Sequence, residues 1–273
     1  NPKDPQGNSL KFQSPEAEAA YKASITRIKD AVQLRKTPDR VPITLLPSMF
    51  PFTNAGMTVQ EAMYDYDKCA AAFKKFILEF KPDMHIGAAQ AGPGKFYEIL
   101  DYKLYKWPGH GVAEHTPWQY VEAEYMKADE YDALIKDPSD YFRGTFLPRI
   151  GSAFAPLARL DSFANMMEAS MLPFNILPFG DASVLEAVRR LADAAQETLR
   201  YLPATGAANV HAAARLGIPP LVAGMAKAPY DVLADTLRGA RGIATDRFHQ
   251  PDKIIEAAER LTPLMIDWAV DQA

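Results

Sequence analysis

The side chains best suited to chemistry in this sequence are its five histidines, because imidazole titrates near neutral pH and also binds metal ions. His85 lies in or just after a short apolar run, 84–87, that predicts a β-strand, and barrel enzymes carry their catalytic groups at the carboxyl ends of such strands. A core histidine hydrogen-bonded to the backbone is an equally good interpretation of this position. His110 and His115 fall in a predicted loop, His211 in a predicted helix, and His249 beside a predicted helix start.

Thiol and metal chemistry have less support in the sequence. Cys69 is the single cysteine and lies on the apolar face of a predicted helix, which favours an inert core thiol over a nucleophile. Zinc sites need three or four nitrogen, sulfur or oxygen ligands, and no cluster of cysteines and histidines supplies them. The residues alone therefore predict no metal site, and Asp231, Asp235 and Asp246 are expected to cap helices or face solvent.

The remaining candidate residues follow three predicted strands. Their apolar and aromatic character suits a pocket for a flat or bulky ligand, although such side chains could equally fill the top of a barrel. The pocket candidates are His85 and His110, together with Met49, Phe50 and Asn54 after the first strand, Gln90 after the second, and Met225, Lys227 and Tyr230 after the third.

The strands themselves are predicted from apolar runs at 41–46, 84–87 and 219–225, with helical patterns between them. Alternating strands and helices favour a parallel sheet or barrel with right-handed crossovers. A further strand is expected at 102–107, followed by a turn at 108–111.

Helix boundaries are predicted from capping residues. Ser14 is the predicted N-cap of a helix at 15–36, and Thr58 and Glu61 form a capping box for the next helix. Asp181 is the predicted N-cap of a helix that ends at Tyr201. A shorter helix at 207–216 is expected to stop at Gly217. The expected inward faces are Cys69, Phe73, Phe76, Ile77 and Phe80; Leu185, Val188, Leu191 and Leu199; and, in a last helix from Pro251, Ile254, Ala258, Leu261, Met265 and Trp268.

The composition is that of a globular protein, with 273 residues, 48% hydrophobic and 23% charged. We expect one domain over 1–273, with a helical extension at about 1–40 and a barrel portion at about 41–273. Basic residues are dispersed and the net charge is −4, so nucleic acid is not an expected partner. No apolar run reaches the length of a membrane span, and the polar start lacks the pattern of a signal peptide, so a cytoplasmic location is expected.

Several stretches resemble the uroporphyrinogen decarboxylase superfamily. They are 27–31 and 36–42 near the start, 106–111, 119–122 and 124–131 in the middle, and 237–239, 241–243, Asp246 and 250–253 near the end. The middle stretches are similar to a subgroup found in anaerobic bacteria, and the whole looks like the branch of cobalamin-dependent methyltransferases. The resemblance covers nearly the whole chain.

The resemblance implies a (β/α)₈ TIM barrel of the uroporphyrinogen decarboxylase type, with its active site at the carboxyl mouth. It implies an enzyme that moves a methyl group between a small methylated compound and a corrinoid protein, with zinc as Lewis acid. Zinc ligands cannot be identified in this chain, since the family places them in a later part of the sequence. Only the N-terminal part of the family barrel is expected here, and the open sheet edge would then need a partner or a homodimer.

Two alternatives stay open at this point. The first is a decarboxylase of a tetrapyrrole, but the family's Arg-Gln-Ala-Gly-Arg-Tyr motif is replaced by residues 49–54, which read Met-Phe-Pro-Phe-Thr-Asn. A substrate with many carboxylates needs cationic or amide donors at that place, so the replacement argues against decarboxylation. The second is a truncated, non-catalytic binding or scaffold protein.

Overall fold

The computed structural model describes residues 9–221 and 225–272, and these form a mixed α/β structure that is mostly helical with few strands. The α/β class predicted from the sequence is confirmed. The strands are β1 (Thr44–Leu45), β2 (Met84–His85), β3 (Tyr105–Pro108), β4 (Gly111–Val112) and β5 (Gln119–Tyr120). The α-helices are α1 (Pro15–Val32), α2 (Phe50–Asn54), α3 (Val59–Tyr64), α4 (Tyr66–Phe80), α5 (Gly94–Leu100), α6 (Tyr131–Lys136), α7 (Pro138–Tyr141), α8 (Leu147–Ile150), α9 (Leu172–Asn175), α10 (Ala182–Leu216), α11 (Pro229–Asp231), α12 (Gly239–His249) and α13 (Pro251–Gln272).

Shorter irregular helices complete the architecture. Two are π-helices, Phe142–Phe146 and Val232–Arg238, and four are 3₁₀-helices, Ser152–Arg159, Phe163–Met167, Ala169–Met171 and Leu177–Gly180. In the described part of the chain, no helix is both long enough and apolar enough to cross a membrane.

Two compact units divide the chain. Unit 1 contains the described residues up to Lys95, Trp107–Trp118 and 197–221, and unit 2 contains Phe96–Lys106, Gln119–Gln196 and the residues from Met225 onward. Residues of β3 fall in both units: Trp107 pairs with β4 in unit 1, and Tyr105 pairs with β5 in unit 2. The strand expected at 102–107 therefore exists, shifted to Tyr105–Pro108.

The parallel strands predicted from the apolar runs lie in unit 1. Leu45 of β1 pairs with His85 of β2 in parallel register, and His85 also forms a parallel bridge with Pro220. On that side the His85 backbone nitrogen donates to the Pro219 oxygen at 3.2 Å, and the Leu221 nitrogen donates to the His85 oxygen at 2.8 Å. The third predicted strand thus begins as expected, while its residues 222–224 lie outside the described residues.

The start of β2 is fixed by ion pairs around Asp83, whose side chain is fully buried. The Asp83 carboxylate accepts from the Arg27 guanidinium at 2.5 Å, from Arg40 at 2.7 Å and from the Ile43 backbone nitrogen at 2.8 Å. Since Ile43 directly precedes β1, one carboxylate ties together α1 and the amino ends of both strands.

Capping signals in unit 1 are confirmed. The Ser14 hydroxyl accepts from the Ala17 nitrogen at 3.1 Å, and Thr58 and Glu61 form the reciprocal capping box. The first helix ends at Val32 rather than at residue 36, because Leu34 adopts a left-handed conformation with φ of 52°.

The buried face of α4 is also as predicted, except at its last residue. Cys69, Phe73, Phe76 and Ile77 are buried, but Phe80 is 44% exposed. Phe80 is the last residue of the helix, which ends at Lys81 in a left-handed conformation.

Two helices expected at 181–201 and 207–216 form one continuous helix, α10, with Pro203 inside it. A proline removes a single backbone donor from a helix, which α10 tolerates, and the Thr205 hydroxyl nearby donates to the Tyr201 oxygen at 3.1 Å. The Asp181 carboxylate accepts from the Ser183 nitrogen at 2.8 Å, so the predicted start is confirmed. The helix ends before Gly217, whose φ is +69°.

The inward face predicted for this helix was wrong. Leu185, Val188 and Leu199 are exposed, and only Leu191 packs against the core of unit 2. The buried residues that pack there are Val184 and Ala187, one position before Leu185 and Val188, and Ala194, one turn after Leu191. Alanines let the helix approach its neighbours closely. The pattern of large apolar residues in the sequence does not show that the alanine face is the buried one.

A second core in unit 2 joins α6, the π-helix at 232–238 and α13. It contains Tyr131, Leu134, Leu233, Leu237 and Leu261 among other buried residues. The stripe predicted for α13 is confirmed at its start, since Ile254 and Leu261 are buried and Ala258 and Met265 pack against the same core. Trp268, however, is 49% exposed, because it lies beyond the last turn that reaches this core.

Candidate functional site

The most unusual polar group in the structure is the imidazole of His85, at the carboxyl end of β2. His85 is 1% exposed, and neither ring nitrogen has a hydrogen-bond partner among the described residues. Its ring meets the edge of Phe73 with 5.4 Å between centroids. Nearly all buried side-chain polar atoms in proteins find a partner, so the two ring nitrogens make His85 the candidate residue of a site.

Burial also sets the charge of this histidine. Desolvation lowers the pKa of His85 to about 4, since no opposite charge compensates for loss of water. The ring is therefore neutral at pH 7, with one nitrogen as hydrogen-bond donor and the other as acceptor. Such a ring can orient a polar ligand atom but does not supply a positive charge.

The loop that follows β2 is held by α10. The Ala88 backbone nitrogen donates to the Asn209 side-chain oxygen at 3.1 Å. Gly87 adopts φ of +95°, and a Cβ at that position would lie 3.1 Å from the Asn209 amide nitrogen. A glycine is therefore required directly after the carboxyl end of β2, both for its backbone and for the close approach of Asn209.

Gln90 belongs to the same loop and holds it rather than facing a ligand. Its amide nitrogen donates to the Gly87 oxygen at 3.0 Å, and its own backbone oxygen accepts from the Trp118 indole at 3.5 Å. The Gly92 nitrogen donates to the Tyr201 hydroxyl at 3.1 Å. The loop is thus pre-organised by side chains, which suits the rim of a binding site.

Sequence reasoning missed a polar cluster on the face of α10 that supports this loop. Glu197 is buried at 8% exposure, and its carboxylate accepts from the Tyr66 hydroxyl at 2.5 Å. Burial and the neighbouring carboxylate raise the pKa of Tyr66, and its ring meets that of Tyr201 at 5.0 Å. Glu197, Tyr201 and Asn209 recur at spacings of four and eight on one helix, which is the signal that could have revealed them.

The candidates after the first strand lie against α4 instead of beside the His85 ring nitrogens. Met49 is buried, and the Phe50 ring packs edge-on against Phe76 and Phe80, at 6.1 and 5.6 Å. The Asn54 amide donates to the Glu79 carboxylate at 3.2 Å. These contacts favour the packing interpretation of this loop, in which its apolar side chains fill space.

His110 lies in the predicted turn and is exposed. Its ring stacks on Trp107 with 4.4 Å between centroids and 22° between planes. The Trp107 indole in turn donates to the Tyr64 hydroxyl at 3.1 Å. His110 is thus held on an aromatic surface, and no contact of the structure joins it to His85.

The candidates after the third predicted strand fall in unit 2. Met225 is 71% exposed. The Lys227 ammonium binds the Asp235 carboxylate and lies 2.8 Å from the Thr236 hydroxyl, so Asp235 is ion-paired rather than simply solvated. Tyr230 lines a cavity of about 380 Å³ that Tyr120 also lines.

Asp246, expected at a helix cap or in solvent, is instead buried in an ion pair. Its carboxylate lies 2.5 Å from the Arg238 Nε and accepts from the Tyr131 hydroxyl at 2.8 Å. The Arg238 guanidinium also reaches Glu124 and the Met126 carbonyl oxygen. The charged groups of this network bind one another within the protein, so we interpret the network as one that stabilises the fold.

Thiol and metal chemistry gain no further support. Cys69 is fully buried, and desolvation raises the pKa of its thiol to about 12. Among the residues that the structure describes, no three His, Cys, Asp or Glu side chains lie together as a metal site requires.

Comparison with known proteins finds no family model, curated protein or solved structure that matches this chain.

Proposed function

We propose that this protein is a methyltransferase-type enzyme on a (β/α)₈ barrel of the uroporphyrinogen decarboxylase superfamily. It would move a methyl group between a small methylated compound and a corrinoid carried by a partner protein. The sequence resemblance is the origin of this proposal. The observation that carries it is His85, a buried imidazole at the carboxyl end of a parallel strand, with no hydrogen-bond partner for its ring among the described residues.

The parallel arrangement of the strand segments supports the barrel. β2 lies between β1 and the segment at Pro220, and the three segments run parallel, as neighbouring strands of such a barrel do. The amino end of β2 is closed by the ion pairs of Asp83, and the carboxyl end carries His85. In barrel enzymes the amino face serves stability and the carboxyl face serves catalysis.

His85 has a definite task in this proposal. When a methyl carbon leaves an oxygen, nitrogen or sulfur atom, that atom keeps the bonding electron pair and becomes more basic. A neutral imidazole N–H can donate to this electron pair as it develops, and its low pKa keeps the ring uncharged at pH 7. Cobalt of the corrinoid would supply the nucleophile that accepts the methyl group.

Zinc, which the resemblance implies, is not matched by a ligand group among the described residues. We therefore assign no step to a metal ion, and zinc stays a prediction. A homodimer and the corrinoid protein stay predictions in the same way.

Methyl transfer to free cob(I)alamin tests the proposal. The purified chain is incubated without oxygen with cob(I)alamin and, separately, an O-methyl, an N-methyl and an S-methyl donor, with and without added zinc. Methylcobalamin is measured by chromatography and mass spectrometry. We expect methylcobalamin to form with one donor class, and His85→Gln to lower the rate about 100-fold.

The matched control is His211→Gln, which changes a half-buried histidine on α10 of the same unit and should leave the rate unchanged. No methylcobalamin with any donor would contradict methyl transfer. Loss of carboxyl groups from uroporphyrinogen would then favour the decarboxylase. Inactivity in both assays would favour the non-catalytic binding protein.

A further inference from the structure

A cavity of about 380 Å³ in unit 2 runs along one face of α12. Its floor is formed by Ala240, Ile243 and Ala244, and Arg247 follows at the next turn. These positions recur every three or four residues, so they share one side of the helix. The volume lies within the range of about 300–1,000 Å³ that is usual for small-molecule sites.

Two tyrosines form the walls of this cavity. Tyr120 and Tyr230 are 38% and 40% exposed, so parts of both rings are accessible at its mouth. The Tyr120 hydroxyl donates to the Asp235 backbone oxygen at 2.5 Å, which fixes the ring. Burial raises the pKa of Tyr120 to about 12, so this wall stays neutral at pH 7. Neutral aromatic walls favour a flat apolar group between or against them.

Of the charged groups that line the cavity, one has no partner within the described part of the chain. The Glu122 carboxylate accepts from the Ala240 nitrogen at 2.7 Å, at the positive end of the α12 dipole. The Asp235 carboxylate is paired with Lys227. Arg247 is exposed, and its guanidinium has no ion pair or hydrogen bond within the described part of the chain. The charged group that is left without a partner at this cavity is therefore a cation.

We infer that this cavity binds a small aromatic carboxylate. The planar Arg247 guanidinium pairs with the carboxylate through two parallel hydrogen bonds, and the aromatic ring lies on the apolar floor against Tyr120 and Tyr230. A larger cavity of about 790 Å³ beside α1 lacks this chemistry, because its charged residues Glu18 and Lys22 pair with each other at 2.6 Å. The inference does not rest on methyl transfer.

Benzoate is the first probe, measured against the whole chain by saturation-transfer NMR and isothermal titration calorimetry. Benzamide has the same ring without the charge, and cyclohexanecarboxylate has the charge without the flat ring. We expect benzoate to bind with a dissociation constant of about 1 mM. Both analogues should bind at least about 10-fold more weakly, which corresponds to about 1.4 kcal/mol.

Three variants locate the site. Arg247→Gln should weaken benzoate binding at least about 10-fold, because it removes the paired charge. Ala244→Trp should abolish binding without changing any charge, because the indole fills the floor. The control is Arg241→Gln, an exposed arginine on the same helix that lines a different cavity, and it should bind benzoate normally.

Several results would overturn the inference. Absence of saturable benzoate binding would refute the site, and equal binding of benzamide would show that the guanidinium takes no part. An equal loss in Arg241→Gln and Arg247→Gln would indicate diffuse attraction to a basic surface. Each variant is checked by circular dichroism, so that a failure to fold is not mistaken for loss of binding.

Discussion

Replacing His85 by leucine should stabilise unit 1 at neutral pH, although it changes a fully buried residue. An unsatisfied buried polar group costs about 1–3 kcal/mol, and leucine removes both ring nitrogens at similar volume. The edge-on contact with Phe73, worth about 0.5–1.5 kcal/mol, is lost at the same time. The free energy of unfolding should therefore rise by about 0–2 kcal/mol at pH 7.5.

The pH dependence of stability gives a sharper signature. The pKa of His85 falls from 6.5 to about 4 on folding, so between these values the unfolded chain binds a proton that the folded chain excludes. Stability is therefore complete above pH 6.5 and falls as the pH is lowered toward 4, by about 3 kcal/mol in total. His85→Leu removes this contribution, and its advantage over the natural chain should widen as the pH falls.

The three tryptophans allow unit 1 to be followed by itself. In a Trp268→Phe background the fluorescence comes from Trp107 and Trp118, both in unit 1. Urea unfolding of this background and of its His85→Leu derivative is compared at pH 7.5 and pH 5. His115→Leu, at an exposed histidine of the same unit, serves as the control and should change neither value.

Two results would refute the reasoning. Destabilisation of His85→Leu by more than about 2 kcal/mol at pH 7.5 would mean that the ring nitrogens have partners in the folded protein. The same pH dependence with and without His85 would mean that the histidine does not titrate as its burial requires.

Two further predictions concern groups that the structure assigns to the framework. Burial raises the pKa of the Cys69 thiol to about 12. Iodoacetamide should therefore label this thiol at least about 100-fold faster in urea than in the native protein, as measured by mass spectrometry. Rapid labelling of the native protein would show an accessible thiolate. Arg238→Met should lower the free energy of unfolding by about 3–5 kcal/mol, because Asp246 is left buried without its partner. The double variant Arg238→Met/Asp246→Leu should regain most of this free energy of unfolding, measured by denaturant unfolding. If it does not, the loss does not come from the unpaired Asp246 carboxylate.

Local signals were readable from the sequence because each depends on a few neighbouring residues. The Ser14 cap and the Thr58–Glu61 capping box involve contacts three residues apart, and the strand at His85 is encoded by its own short apolar run. The pairing of Arg238 with Asp246 could not be predicted in this way. It depends on the left-handed Gly239, with φ of +71°, which joins the π-helix to α12 and lets the two charged side chains meet.

The place of His85 at the end of a strand was predictable from the sequence, but its hydrogen bonding was not. The sequence left His85 open between a core residue and a site residue, and the core interpretation required hydrogen bonds from the ring to the backbone. The structure buries the ring as a core residue but provides no such bonds among the described residues. The burial and the hydrogen bonding of this ring could not be predicted from the sequence, because both are set by residues far along the chain.

Asp83, directly before β2, and His85, at the carboxyl end of β2, differ in their hydrogen bonding. Asp83, two residues before His85, is equally buried, yet its carboxylate accepts from Arg27, Arg40 and the Ile43 nitrogen. Both side chains are equally buried and lie two residues apart, yet among the described residues the carboxylate has three donors and the imidazole has no partner. A fold that satisfies Asp83 so fully keeps His85 unsatisfied at a cost of about 1–3 kcal/mol. Such a cost is expected where a polar group is reserved for a ligand at the carboxyl end of a strand.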